Sequence, residues 1–166
     1  MSRTSEIVKR IHSIVTGKDP RGEKARQLAE AVRSLGNYRW TGVYDVGNEM
    51  VSIIAYRGPG APAYPTFAVT EGLTGAAIRE RATVLVGDVR SDPRYLTAFG
   101  STLSEIIVPV VNPQSGKVVG TIDVESERAN AFSARDQRLL EQCSRAALPL
   151  WIPDSPRPRR AWPETG

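Results

Sequence analysis

The sequence predicts an α+β fold: a central antiparallel β-sheet with N- and C-terminal helices packed on one face and a loop-roofed pocket on the other. Three observations predict it. The chain opens on two segments of helical periodicity, closes on another, and carries two pairs of strand-like runs between them. Runs of strands flanked by terminal helices favour an antiparallel sheet over a doubly wound parallel one. Since the terminal helices cover one face, the stretch between the two strand pairs must cover the other, and a pocket would form there.

Ile7, Ile11, Ile14 and Val15 share a helical face, so residues 5–16 read as an amphipathic helix. Gly17 to Gly22, with Pro20, breaks it. Ala25, Leu28, Ala29, Val32 and Leu35 define a second helix that Gly36-Asn37 stops. The period then changes to two. Residues 38–46 and 50–56 are rich in aromatic and β-branched side chains around Gly47-Asn48, a hairpin signal. Residues 57–65 are a Pro/Gly loop, 66–69 a short strand, and Gly72 opens a helix to about Arg81. A strand at 83–86 and a long irregular segment with one helical turn, 88–100, precede two further strands, 104–111 and 117–125. Ser133-Ala-Arg-Asp136 is a capping-box start for a last helix with apolar positions Leu139, Leu140, Cys143, Ala147 and Leu150.

At 166 residues the chain reads as one domain, residues 1–152, with helices at 5–36 included. Residues 153–166, Pro- and Arg-rich without periodicity, read as a disordered tail. The net charge of +4 divides unevenly: residues 37–152 hold 11 basic against 12 acidic side chains, so the excess lies in the N-terminal segment and the tail. A nucleic-acid binder would carry that charge on its folded centre. No apolar run reaches the roughly 18 residues of a membrane span, and the polar N-terminus lacks a signal-peptide core, so a cytoplasmic protein is expected.

The 104–126 hairpin bears most on function. A three-residue loop, Gln114 to Gly116, pairs Val111 with Val119, Ile107 with Asp123, and Glu105 with Glu125. Directly opposed residues share a face, so Glu105, Asp123 and Glu125 point one way. Ile106, Val108, Val110, Val118, Ile122 and Val124 point the other, into the helix-packed core. Enclosed, three carboxylates hold raised pKa values, a cation or a hydrogen-bond donor; solvated, they are a sheet's ordinary polar face. Tyr38, Trp40, Gly42 and Tyr44 alternate onto one face of the first strand, where aromatic rings beside acids suit an ammonium-bearing ligand.

Other chemistries have few residues to work with. His12 is the only histidine and Cys143, on the apolar face of the last helix, the only cysteine. No zinc site, Ser-His-acid triad or Cys-His pair can be assembled from them, and no metal or cofactor is expected. Gly72-Leu-Thr-Gly75 lacks the lysine of a phosphate loop and reads as a tight turn into a helix.

The blocks WTGVY (40–44), EGLTGAAI (71–78), VGDVRSDPRY (86–95), SEIIVPVV (104–111), GKVVGTIDVES (116–126) and FSARDQRLLEQ (132–142) together resemble a GAF domain over about residues 5–151. The resemblance implies a GAF/PAS-like sheet, terminal helices that often build a dimer interface, and a pocket under the middle loops. The blocks are most similar to the free methionine-R-sulfoxide reductase branch, whose ligand residues map onto Trp40, Tyr44, Glu105, Asp123 and Glu125. Its loop cysteines fall on Tyr64, Thr74 and Ala98, so the pocket is kept in outline while the thiol chemistry is not. Tyr64 and Thr74 join the expected ligand site. The features of bilin, cyclic-nucleotide and haem GAF types are absent. The resulting expectation is a stand-alone, non-catalytic sensor for a small amine-bearing metabolite, passing its signal to a separate output protein. The alternatives are a divergent reductase, or a dimeric interaction module with a vestigial pocket.

Overall fold

A computed structural model of the chain describes residues 2–97 and 99–153; Ala98 and the tail residues 154–166 lie outside the described residues. Arg3–Thr16 forms α1, begun by the Ser2 hydroxyl, which accepts from the Ser5 N–H, and Ile7, Ile11 and Val15 are buried along it. Arg21–Arg33 forms α2, burying Ala25, Leu28, Ala29 and Val32. Asn37 turns the chain out of it in the left-handed region, φ 50°.

Six strands follow: β1 (Trp40–Val46), β2 (Met50–Arg57), β3 (Thr66–Ala68), β4 (Val84–Val86), β5 (Ser104–Val111) and β6 (Val118–Ser126). Between β3 and β4 lies α3 (Gly72–Glu80). After β6 comes α4 (Ala134–Ala146), where Ser133 and Asp136 make the reciprocal capping box. The α-helix stops at Ala146, and Leu148–Leu150 continue as one 3₁₀ turn. The sheet is antiparallel throughout, in the order β3-β2-β1-β6-β5-β4.

The sheet has two unlike faces. On one, α1, α2 and α4 pack Ile11, Leu28, Val32, Leu140 and Cys143 against Val43, Ile106, Val108, Val110, Ile122 and Val124. On the other, α3 and the segment after β4 bury Leu73, Ala77, Val89 and Ile107, and a separate cluster gathers Trp40, Tyr44 and Val51. The helix-covered face and the loop-covered face are therefore the expected ones.

Two details of register differ from expectation. The β5–β6 connection has four residues: the Asn112 N–H reaches the Lys117 carbonyl at 2.8 Å, and Gly116 takes the left-handed turn position, φ 72°. Val111 thus faces Val118, and a bulge at Val119 restores Val110 opposite Gly120 and everything beyond. Loop and bulge compensate, so Ile107 still faces Asp123 and Glu105 still faces Glu125. Because of the bulge, Val119 and not Val118 packs on the helix-side core. Tyr38 also departs. The strand begins only at Trp40, and Tyr38 lies on the helix side with its ring 5.2 Å from that of Phe132.

Ile122→Ala is expected to cost about 2–5 kcal/mol, as for other fully buried large-to-small changes. Val118→Ala, at a half-buried position outside the core clusters, should cost about 1 kcal/mol or less. Urea unfolding of the two variants checks the facing of β6.

Candidate functional site

The loop-covered face is built in cross-strand rows. Trp40 on β1 lies opposite Glu125 on β6, which lies opposite Glu105 on β5, which lies opposite Val86 on β4. In the next row Gly42 lies opposite Asp123, which lies opposite Ile107. Gly42 has a steric reason to be glycine. A Cβ there would collide with the Trp40 ring and come within 2.8 Å of Tyr44 Cε2, so the two aromatics close over the gap it leaves beside Asp123.

All three carboxylates are enclosed: Glu105 is 8% exposed, Asp123 4% and Glu125 0%. The ion pairs among the described residues use other acids. The Thr74 hydroxyl, at the start of α3, donates to Asp123 Oδ2 at 3.0 Å, and the Thr102 hydroxyl donates to Glu125 Oε1 at 3.3 Å. The second oxygens, Asp123 Oδ1 and Glu125 Oε2, are buried with no hydrogen-bond partner. Such orphaned acceptors are uncommon and costly, and they mark where a donor is missing.

Burial shifts the acids strongly. Desolvation pushes Asp123 up to about 7, although the Thr121 hydroxyl, close but not hydrogen-bonded, and that of Thr74 temper the rise. Glu125 also rises to about 7, first through burial and then through the charge of Asp123; the Thr102 hydroxyl, Arg39 and Tyr95 oppose this. Glu105 is driven well above the carboxylate range by burial and by its two acidic neighbours. The Tyr44 phenol is raised by burial and by all three acids, and it stays protonated. The site is a shared store of protons facing an aromatic wall. Among the described residues, no group of three or more His, Cys, Asp and Glu is placed to hold a metal ion.

Five of the seven sequence-derived site residues, Tyr44, Tyr64, Thr74, Glu105 and Asp123, line one small cavity of about 40 Å³. Glu125 and Trp40 stand beside it. Trp40 stacks on Tyr56 at 6.0 Å, and its indole N–H donates to the Gly60 carbonyl at 3.1 Å, tying the 57–65 loop down as a roof. Sequence reasoning missed Pro62, Phe67, Leu73 and Leu96 in the lining, and Thr102 as a partner of Glu125. Their signals were weak. Leu96 and Thr102 sit in or beside an irregular segment, and Phe67 is on a three-residue strand. Ala98, aligned with a reductase cysteine, lies outside the described residues. Cys143 is buried on the opposite face of the sheet, among the helix-side residues, and burial pushes its thiol up to about 12.

The GAF domain family model matches residues 22–147. GAF domain-containing protein A of Dictyostelium discoideum is 27% identical over 138 residues, covering 82% of this chain and 84% of that protein. The free methionine-R-sulfoxide reductase of Saccharomyces cerevisiae is 29% identical over 117 residues, 69% of this chain and 64% of that one. Among solved structures, the type II free methionine-R-sulfoxide reductase from Thermoplasma acidophilum superposes with a TM-score of 0.72 at 31% identity, covering 81% of this chain and 96% of that one.

The acids make a prediction about pH. Their folded pKa values lie above the unfolded ones, so the stability they contribute is complete below about pH 4, the usual carboxylate range, and is lost as pH rises through about 7. Thermal unfolding between pH 5.5 and 8 should show this loss in the ligand-free protein. An Asp123→Asn/Glu125→Gln double variant should lose less stability over the same interval.

Proposed function

This chain belongs to the GAF domain family of small-molecule-binding modules, and from that premise we propose that it is a non-catalytic sensor for a compact ammonium-bearing metabolite. The observation that carries the reading is the buried Asp123 Oδ1, without a hydrogen-bond partner among the described residues, on the wall of a cavity that Tyr44 also lines; Glu125 Oε2, likewise unpartnered, belongs to the neighbouring cross-strand row. A primary ammonium has three donors and no acceptor, which is the complement of such oxygens. Its positive charge would return the acids to their ionised form and lie against the Tyr44 ring. At roughly 10–15 Å³ per water, a cavity of about 40 Å³ holds about three water-sized groups, so it admits a head group.

The expected outcome of thermal-shift screening is selective stabilisation by amines and amino acids over isosteric alcohols and carboxylates. The shift should be larger at pH 8 than at pH 5, because at pH 5 the ligand must displace protons from the acids. It should disappear in the Asp123→Asn/Glu125→Gln double variant. Equal stabilisation by neutral analogues, or none by any amine, would sink the reading.

The reductase relatives favour a second reading that the thiol's position opposes. Attack on a sulfoxide needs a thiolate in the pocket and a partner thiol to resolve the intermediate. The only thiol is buried across the sheet in protonated form. With free methionine-R-sulfoxide and a thiol reductant, no turnover above the buffer rate is expected, in wild type or in Cys143→Ser. Turnover that the Cys143→Ser change removes would establish the enzyme.

A further inference from the structure

A far larger cleft, about 700 Å³, opens on the other face of the sheet. The same strand serves both cavities: Glu105 faces the acidic pocket, while Val108 and Val110 form part of the floor of this cleft. Leu148 and Pro149 complete the apolar floor, and α4 supplies a wall running from Gln137 to Arg145. At 1.5 Å per residue, the α4 wall from Gln137 to Arg145 is roughly 12 Å long. Volume and apolar lining are those of a ligand cavity and not of a packing defect.

What could fill it is narrowed by the edge of β5. The β4 ladder ends where Val84 meets Ile107, so no described strand pairs with that edge further along. Pro109 sits on that stretch and has no N–H to offer. An added strand is therefore disfavoured, and the occupant must be apolar bulk.

Charge narrows it further. Glu141, the one acid in the lining, is already held: its Oε1 accepts from the Thr83 hydroxyl at 2.8 Å and from the Gln137 amide at 3.0 Å. Arg81 and Arg145 are exposed on the rim, and among the described residues neither forms an ion pair. The His12 ring lines the same cleft from α1. An apolar trough with unpaired guanidinium groups at its rim complements a molecule with an apolar body and an anionic head.

We propose that this cleft is a second small-molecule site, taking an amphiphilic carboxylate whose body lies on Val111, Leu148 and Pro149 and whose head meets Arg81 and Arg145. The probe is decanoate, measured by titration calorimetry and by displacement of 8-anilino-1-naphthalenesulfonate, with decylamine as the charge control. Decanoate should bind saturably at one site and decylamine should not. The exposed Arg81→Glu/Arg145→Glu double variant should weaken decanoate about tenfold or more, the scale of one charge-assisted hydrogen bond. Val111→Trp, at a half-buried lining position, should block it, with folding checked by urea midpoint. Asp123→Asn, on the opposite face, should leave it unchanged. Equal binding of decylamine, non-saturable uptake, or full affinity in the charge-reversed variant would overturn the proposal, and the last test stands even if Val111→Trp fails to fold.

Discussion

Everything in this domain hangs on the pairing of β5 with β6. Along these strands one face is apolar and packs on the helices, while the other presents Glu105, Asp123 and Glu125. A slip of one residue would turn three carboxylates into the helix core and push valines and isoleucines into the acidic pocket. Burying unpaired charges among aliphatic side chains costs several kcal/mol for each ion, so the register is held by what it avoids as much as by what it makes. The four-residue turn and the Val119 bulge serve that constraint. The turn sets one register at Asn112–Lys117, and the bulge converts it into the register the two faces need.

That arrangement leaves the domain locally dissatisfied. The helix-covered face has a continuous core from Ile7 to Leu150, while the other face encloses three acids that have no ion-paired base among the described residues. Burial raises the pKa of all three acids, which lessens the cost of holding them there because each takes up a proton more readily than a solvated carboxylate does. Two hydroxyls, from Thr74 and Thr102, satisfy part of the demand, and two oxygens are left over. Residues that break the local rules of a well-packed fold tend to gather where the fold does something, and three buried acids, two of them with an unpartnered oxygen, share this sheet face.

The facing of the acids was legible in the sequence because period-two alternation and cross-strand opposition are properties of the backbone. Whether they were enclosed was not, since that depends on α3, Leu96 and Thr102, which the chain delivers from far away in sequence and partly through an aperiodic segment. Tyr38 shows the limit of the alternation rule. The aromatic spacing extends the stripe to Tyr38, but Asn37 leaves α2 in a left-handed conformation and extended backbone begins only at Trp40, so Tyr38 packs on Phe132. The turn shows a different limit. Gly116 announces a left-handed position but not whether three or four residues surround it, and no residue at Val119 signals a bulge.

Recognition and selection of a ligand are divided between parts of unequal rigidity. The charge-reading groups sit on β5 and β6, which share the longest ladder of the sheet, and their positions follow from its hydrogen bonds. The roof has sparser fastenings: the Trp40 indole on Gly60, the Thr102 hydroxyl on Glu125, and the Leu103 N–H on the Ser126 carbonyl at 2.8 Å. Under the proposed reading the head-group preference is set by the sheet, whereas the body attached to it is selected by loops that change length and composition at small cost to stability. Thr74 belongs to the rigid part: it lies in the first turn of α3 and its hydroxyl holds Asp123 Oδ2, so a change there alters the acidic floor, whereas a change at the exposed Tyr64 alters the roof.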